Sequence, residues 1–170
     1  MNPSYVRIRV PQDEALRRFA AWKGLARVGP LVPTTSTDAI RLACDDQEQW
    51  RGQALFVSVV GGWSVLSDLT GGLAAVTAAS WLVLAGQDDL VFAGYNDAIG
   101  YGALVSITGG VVLQDILFDR DSPESNVNID RRLAEHEPIK DWVGVAGFVD
   151  DDELGYGAND GWLWVYEPIG

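Results

Sequence analysis

Apolar residues alternate with arginine at the start of the chain: Val6, Ile8 and Val10 interleave with Arg7 and Arg9, a period of two that predicts a strand over Tyr5 to Val10 with one polar face. From Pro11 the period lengthens. Leu16, Phe19, Ala20 and Lys23 fall on one helical stripe, Asp13 and Glu14 suit a positive helix start, and Gly29-Pro30 is a stop signal, so the pattern predicts a helix over 11–27. A looser stripe of Ile40, Ala43, Cys44 and Gln47 predicts a second helix from the potential cap Thr37 toward Trp50.

The middle of the chain reads as sheet. Ala54 to Val60 and Trp63 to Leu69 flank Gly61-Gly62, and Ala103 to Thr108 and Val111 to Phe118 flank Gly109-Gly110. Glycine pairs of this kind reach the positive φ angles of tight hairpin turns. Leu90 to Tyr95 supplies a further strand, and Thr77 can cap a short helix running to Ala85. The polar stretch from Asp119 to Asp130 reads as a loop, Ile139 to Val149 as a helix with Trp142, Val143 and Ala146 inward, and Trp162 to Tyr166 as a last strand. In that strand Trp162 and Trp164 share one face and Leu163 and Val165 the other; two apolar faces predict a central position. The expectation is an α+β fold, a mainly antiparallel sheet with a few flanking helices.

With 170 residues the chain is long enough for one hydrophobic core and short for two, so residues 1–170 are read as a single domain. Hydrophobic residues at 48% and charged residues at 21% exclude a disordered or fibrous chain. Net charge changes the picture more. Its value is −12, and it is unevenly spread: residues 1–60 hold eight basic and six acidic side chains, residues 61–170 four basic and eighteen acidic. Such a field disfavours nucleic acid and anionic membranes and complements a basic partner. Seven tryptophans spread along the chain at strand and helix positions are expected mostly in the core.

Candidate chemistry is sparse. The single histidine, His136, lies between Glu135 and Glu137 and reads as a solvated surface residue; the single cysteine, Cys44, reads as a small core residue on its stripe. One cysteine excludes an intramolecular disulfide, as expected of a reducing compartment. Arg7 and Arg9 interrupt any apolar run of signal-peptide length, so the cytoplasm is the expected location. A zinc site would have one Cys and one His to draw on. The acids of 119–130 fail as an EF-hand, because Pro123 and Glu124 stand where an oxygen ligand and a glycine are required. Neither phosphate loop, nucleophile elbow nor dinucleotide fingerprint is present, so no catalytic residue, cofactor or metal is predicted. Three turn-rich segments remain as exposed recognition candidates: Tyr95, Asn96 and Asp97; Asp119, Asp121 and Glu124; and Asp150, Asp151, Asp152 and Glu153.

Two stretches, VFAGYNDAIGYGALVSITGGVVLQDI from Val91 to Ile116 and PIKDWVGVAGFVDDDEL from Pro138 to Leu154, resemble a bacterial family of small acidic immunity proteins of polymorphic toxin systems. The likeness spans roughly residues 63–166. The order of strand, Gly/Asp/Asn turn, strand, glycine hairpin and later helix is also similar to the SUKH immunity superfamily, without that group's Leu-Pro-x-x-Tyr helix start or Asn-Gly-Gly turn. The resemblance implies a protein that is no enzyme, and that binds a cognate basic toxin and occludes its active surface. It carries over no fixed site residues. A small-molecule or carbohydrate-binding module and an enzyme with an unfamiliar site are the alternatives, and oligomeric state is left open.

Overall fold

A computed structural model describes residues 3–74 and 76–169. Among these residues one antiparallel sheet of ten strands carries the fold: β1 (Ser4–Ile8), β2 (Leu25–Arg27), β3 (Val32–Thr35), β4 (Gln53–Val60), β5 (Trp63–Asp68), β6 (Leu90–Asn96), β7 (Tyr101–Thr108), β8 (Val111–Asp119), β9 (Val127–Asp130) and β10 (Asp160–Pro168). Across the sheet the order is β2-β10-β4-β5-β1-β6-β7-β8-β9, and β3 also pairs with β10. Among the described residues four α-helices flank it: α1 (Gln12–Lys23), α2 (Ala39–Ala43), α3 (Ala78–Ala85) and α4 (Trp142–Asp151). The fold is therefore α+β with an antiparallel sheet, as the pattern predicts.

Both glycine hairpins form: Gly61, Gly62, Gly109 and Gly110 all have positive φ, and β4 pairs with β5 and β7 with β8 across them. Thr77 caps α3, its side chain accepting from the Ser80 N–H, and Asp141 caps α4 by accepting from Gly144. On one face of the sheet, α1 and α3 cover an aromatic core. The Phe19 ring meets those of Trp164 and Tyr166 edge-on at 5.7 and 6.1 Å, and Trp81 stacks on Phe92 at 4.6 Å. On the other face α4 lays Val145 and Val149 over Val91, Ala93, Leu104 and Ile116, and α2 covers Leu163 and Val165. The last strand is paired on both sides, by β4 and by β2 and β3, in agreement with its two apolar faces.

Four expectations are corrected. The first helix stops at Lys23, because Gly24 takes a left-handed conformation (φ 63°) and its N–H bonds the carbonyls of Ala20 and Ala21; Leu25–Arg27 then returns as a strand on β10. The second helix is one short turn, Ala39–Ala43. After it Asp45 accepts from the N–H groups of Gln47 and Gln49, and the chain turns back to bridge Cys44 to Trp50. The polar stretch 119–130 holds a 3-10 turn, Pro123–Ser125, and the edge strand β9. In α4 the inward stripe is Val145 and Val149, and Val143 is 56% exposed. Among the described residues no helix is long and apolar enough to cross a membrane.

Candidate functional site

Two of the three predicted segments meet at one end of the sheet. The turn from β6 to β7 is held by Asn96, whose side-chain oxygen accepts from the Ala98 N–H at 3.1 Å. Arg120 straddles this turn: its backbone N–H donates to the Gly100 carbonyl and its guanidinium to the Ala98 carbonyl, both at 3.1 Å. The turn that carries Asp97 therefore lies against the segment that carries Asp119 and Asp121. Asp119 is itself ordered, its carboxylate accepting from the Asp121 N–H at 2.9 Å and its own N–H donating to Asn126 at 2.8 Å. Glu124 is exposed on the adjoining 3-10 turn.

The third segment joins through Tyr95. That side chain is on the α4 side of the sheet, and burial first, then the carboxylates of Asp150 and Asp97, push its hydroxyl pKa up. Tyr156, 61% exposed, donates its hydroxyl to the Asp150 carbonyl at 2.7 Å. Asp151 and Glu153 are exposed around Asp150. The result is an acidic end with two tyrosines in it, an arrangement suited to ammonium and guanidinium groups.

Asp152 departs from the expectation of a solvated turn. Its carboxylate receives the Arg7 guanidinium in a two-pronged pair, Nε to Oδ2 at 2.9 Å and Nη2 to Oδ1 at 3.2 Å, with both side chains about 10% exposed. It also accepts from the Tyr5 hydroxyl. The other side of that guanidinium covers the Trp63 ring, 4.3 Å from its centre. Burial first, then the bond to Asp152, raises the Tyr5 pKa far above its ordinary value. The face of β1 that the alternation marks as polar is thus closed over by the turn Glu153–Tyr156, and Asp152 is a clamp rather than a free recognition residue.

His136 departs too. Its Nε2 is 3.1 Å from an Asp130 oxygen and 3.1 Å from the Gln114 amide nitrogen, and Nδ1 is 2.6 Å from the Glu137 carbonyl. Gln114 in turn accepts from the buried Ser106 hydroxyl at 2.8 Å. Gln114 stands between serine and histidine, so the pair makes no nucleophile–base contact. These four side chains pin the segment after β9 against the sheet.

On the opposite face, a cleft of about 490 Å³ opens at the same end of the sheet, lined by Trp50, Phe92, Asn96, Ile99, Tyr101 and Asp119 among others. Its floor includes the loop after β5, ordered by Asp68, whose buried carboxylate accepts from the backbone N–H groups of Thr70, Gly71, Gly72 and Leu73 at 2.9–3.2 Å. Trp50, Ile99 and Tyr101 are not legible as a group in the sequence, because the fold brings Trp50 to the distant β6–β7 turn that carries the other two. Among the described residues, no group of three or more His, Cys, Asp or Glu side chains could hold a metal ion. No family model matches this chain, and no curated protein or solved structure is detectably similar to it.

Proposed function

We propose that this chain is an immunity-type inhibitor that binds a basic cognate toxin in the cytoplasm and occludes its active surface. The observation that carries the reading is that Asp97 and Asp150 both act on Tyr95, next to the turn that Arg120 braces against the strand end carrying Asp119 and Asp121. Those acids come from three segments and leave the core intact, so they can vary to suit a partner without disturbing the sheet. An acidic end on a chain of net charge −12 accelerates encounter with a basic protein and disfavours nucleic acid in its place.

The test is co-expression with the toxin domain encoded beside the gene. Protection, lost when Asp97, Asp121 and Asp150 are together reversed to lysine in a variant that still folds, supports the reading. A locus with no toxin, or protection that survives the reversal together with an unchanged association rate, defeats it. The cleft favours a second reading, a small-molecule or carbohydrate-binding module, since Trp50 and Tyr101 beside Asn96 and Asp119 offer an aromatic platform with polar rims. Quenching of tryptophan fluorescence by mono- or oligosaccharides, abolished in Trp50→Ala, would favour it.

A further inference from the structure

On the α1/α3 face of the sheet, the helices stop short of the far edge. Cross-strand pairing sets Asp115 between Val105 and Ile129, and Leu117 between Ala103 and Val127. These side chains share one face, because directly opposed residues do, and it is the face of the aromatic core, where Leu117 and Val105 already pack. Ile116 and Asn128 point the other way, toward α4 and Ile139. Leu117 and Val127 are half-buried and Ile129 is 52% exposed. Two residues further along, Tyr101 pairs with Asp119 on the same face, and both line the cleft. An apolar strip thus runs from the cleft along β8 and β9, beside the buried Ala103 and Val105 of β7.

Asp115 breaks that strip. Its carboxylate has no hydrogen bond or ion pair among the described residues, in contrast to Asp68, Asp119, Asp130 and Asp152. Desolvation alone raises its pKa. A carboxylate left half-desolvated between Val105, Leu117 and Ile129 is poorly placed for the free chain and well placed for an incoming cation that brings apolar neighbours with it. Asp119 repeats the charge at roughly 13 Å, the length of four strand residues.

We propose that this strip is a docking surface for a basic amphipathic segment of the protein partner, with a lysine or arginine of that segment paired to Asp115 and its apolar side chains set on Leu117, Val127 and Ile129. The proposal rests on the reading above and places the contact on the sheet face rather than on the loops alone. Charge complementarity selects the occupant: a second copy of this chain would bring its own acids to an acidic surface.

The test uses a synthetic 18-residue amphipathic helix of leucine and lysine, with an all-lysine peptide as control, titrated into the full chain and followed by backbone amide shifts. The expected result is that the amphipathic peptide shifts 113–119 and 127–130, and that Asp115→Asn and, separately, Ile129→Ser weaken it at least tenfold. One substitution is isosteric and the other lies on an exposed side chain, and the amide spectrum of each free variant checks that it is folded. Shifts confined to the loops at 97–100, 119–124 and 150–153, with both variants binding as the parent does, overturn the proposal and leave the acidic-surface reading standing. Absence of binding anywhere overturns this proposal, while the acidic-surface reading stands or falls on the protection assay. A free chain that sediments as a dimer and is dissociated by Ile129→Ser overturns it in favour of self-association.

Discussion

Asp152 and Asp115 are both carboxylates in half-buried settings, and the difference between them is a partner. Asp152 closes on Arg7 and Tyr5, so truncating it leaves a buried guanidinium without its counter-charge. Asp152→Ala is expected to lower unfolding free energy by about 3–5 kcal/mol, read from denaturant midpoints, with the acidic end otherwise unchanged. The same turn depends on Gly155, where a Cβ would overlap the Tyr5 ring; Gly155→Ala should cost about 1–3 kcal/mol by overpacking. Asp115 behaves in the opposite sense. Its pKa is raised in the fold, so the charged form is less favoured in the folded chain than in the unfolded one, and the penalty grows as pH rises through the unfolded value and is complete above the folded one. Below the unfolded carboxylate pKa both states are protonated and the penalty is absent. Asp115→Asn should therefore raise thermal stability slightly near pH 7, and the gain should vanish as pH falls below about 4; an equal gain at both pH values would show that the charge is not its source.

At the scale of elements, the parts legible in the sequence are those whose signal is local. Gly61-Gly62 and Gly109-Gly110 mark their hairpins, Thr77 caps α3, and the two-faced pattern of Trp162–Tyr166 places β10 inside the sheet. Elements with distant partners were not legible. Leu25–Arg27 and Val127–Asp130 are too short to show a period, and each is a strand only because β10 or β8 supplies its hydrogen bonds. The candidate site divides the same way: exposed acids in turns could be marked from composition, whereas the clamp joins residues 145 positions apart. A local signal does mark one further residue: Asp115 is a lone acid inside the apolar run VVLQDILF. Another is Gly24, which ends α1 at Lys23, four residues short of the expected Arg27. Gly24→Ala forces a left-handed backbone on a residue with a Cβ and should destabilise by about 1 kcal/mol, measured by thermal unfolding.

Across the whole molecule, pairing is dominated by segments far apart in the chain: β1 joins β5 and β6, and β10 joins β2, β3 and β4. Loop closure must precede such contacts, so refolding from denaturant should take milliseconds to seconds rather than microseconds, as stopped-flow fluorescence of the Trp81 and Trp164 core would register. The same order has a consequence during synthesis. A ribosome adding about 5–20 residues per second has β4 translated several seconds before Asp160–Pro168 emerges to pair with it. Throughout that interval the nascent chain lacks the strand that separates β4 from β2 and β3, and the row Ala54, Leu55, Phe56 and Val57 lies along an open edge. Neighbouring nascent chains on one message would present the same edge to each other, which makes translation rate and holdase supply, more than equilibrium stability, the quantities that set the yield of folded protein.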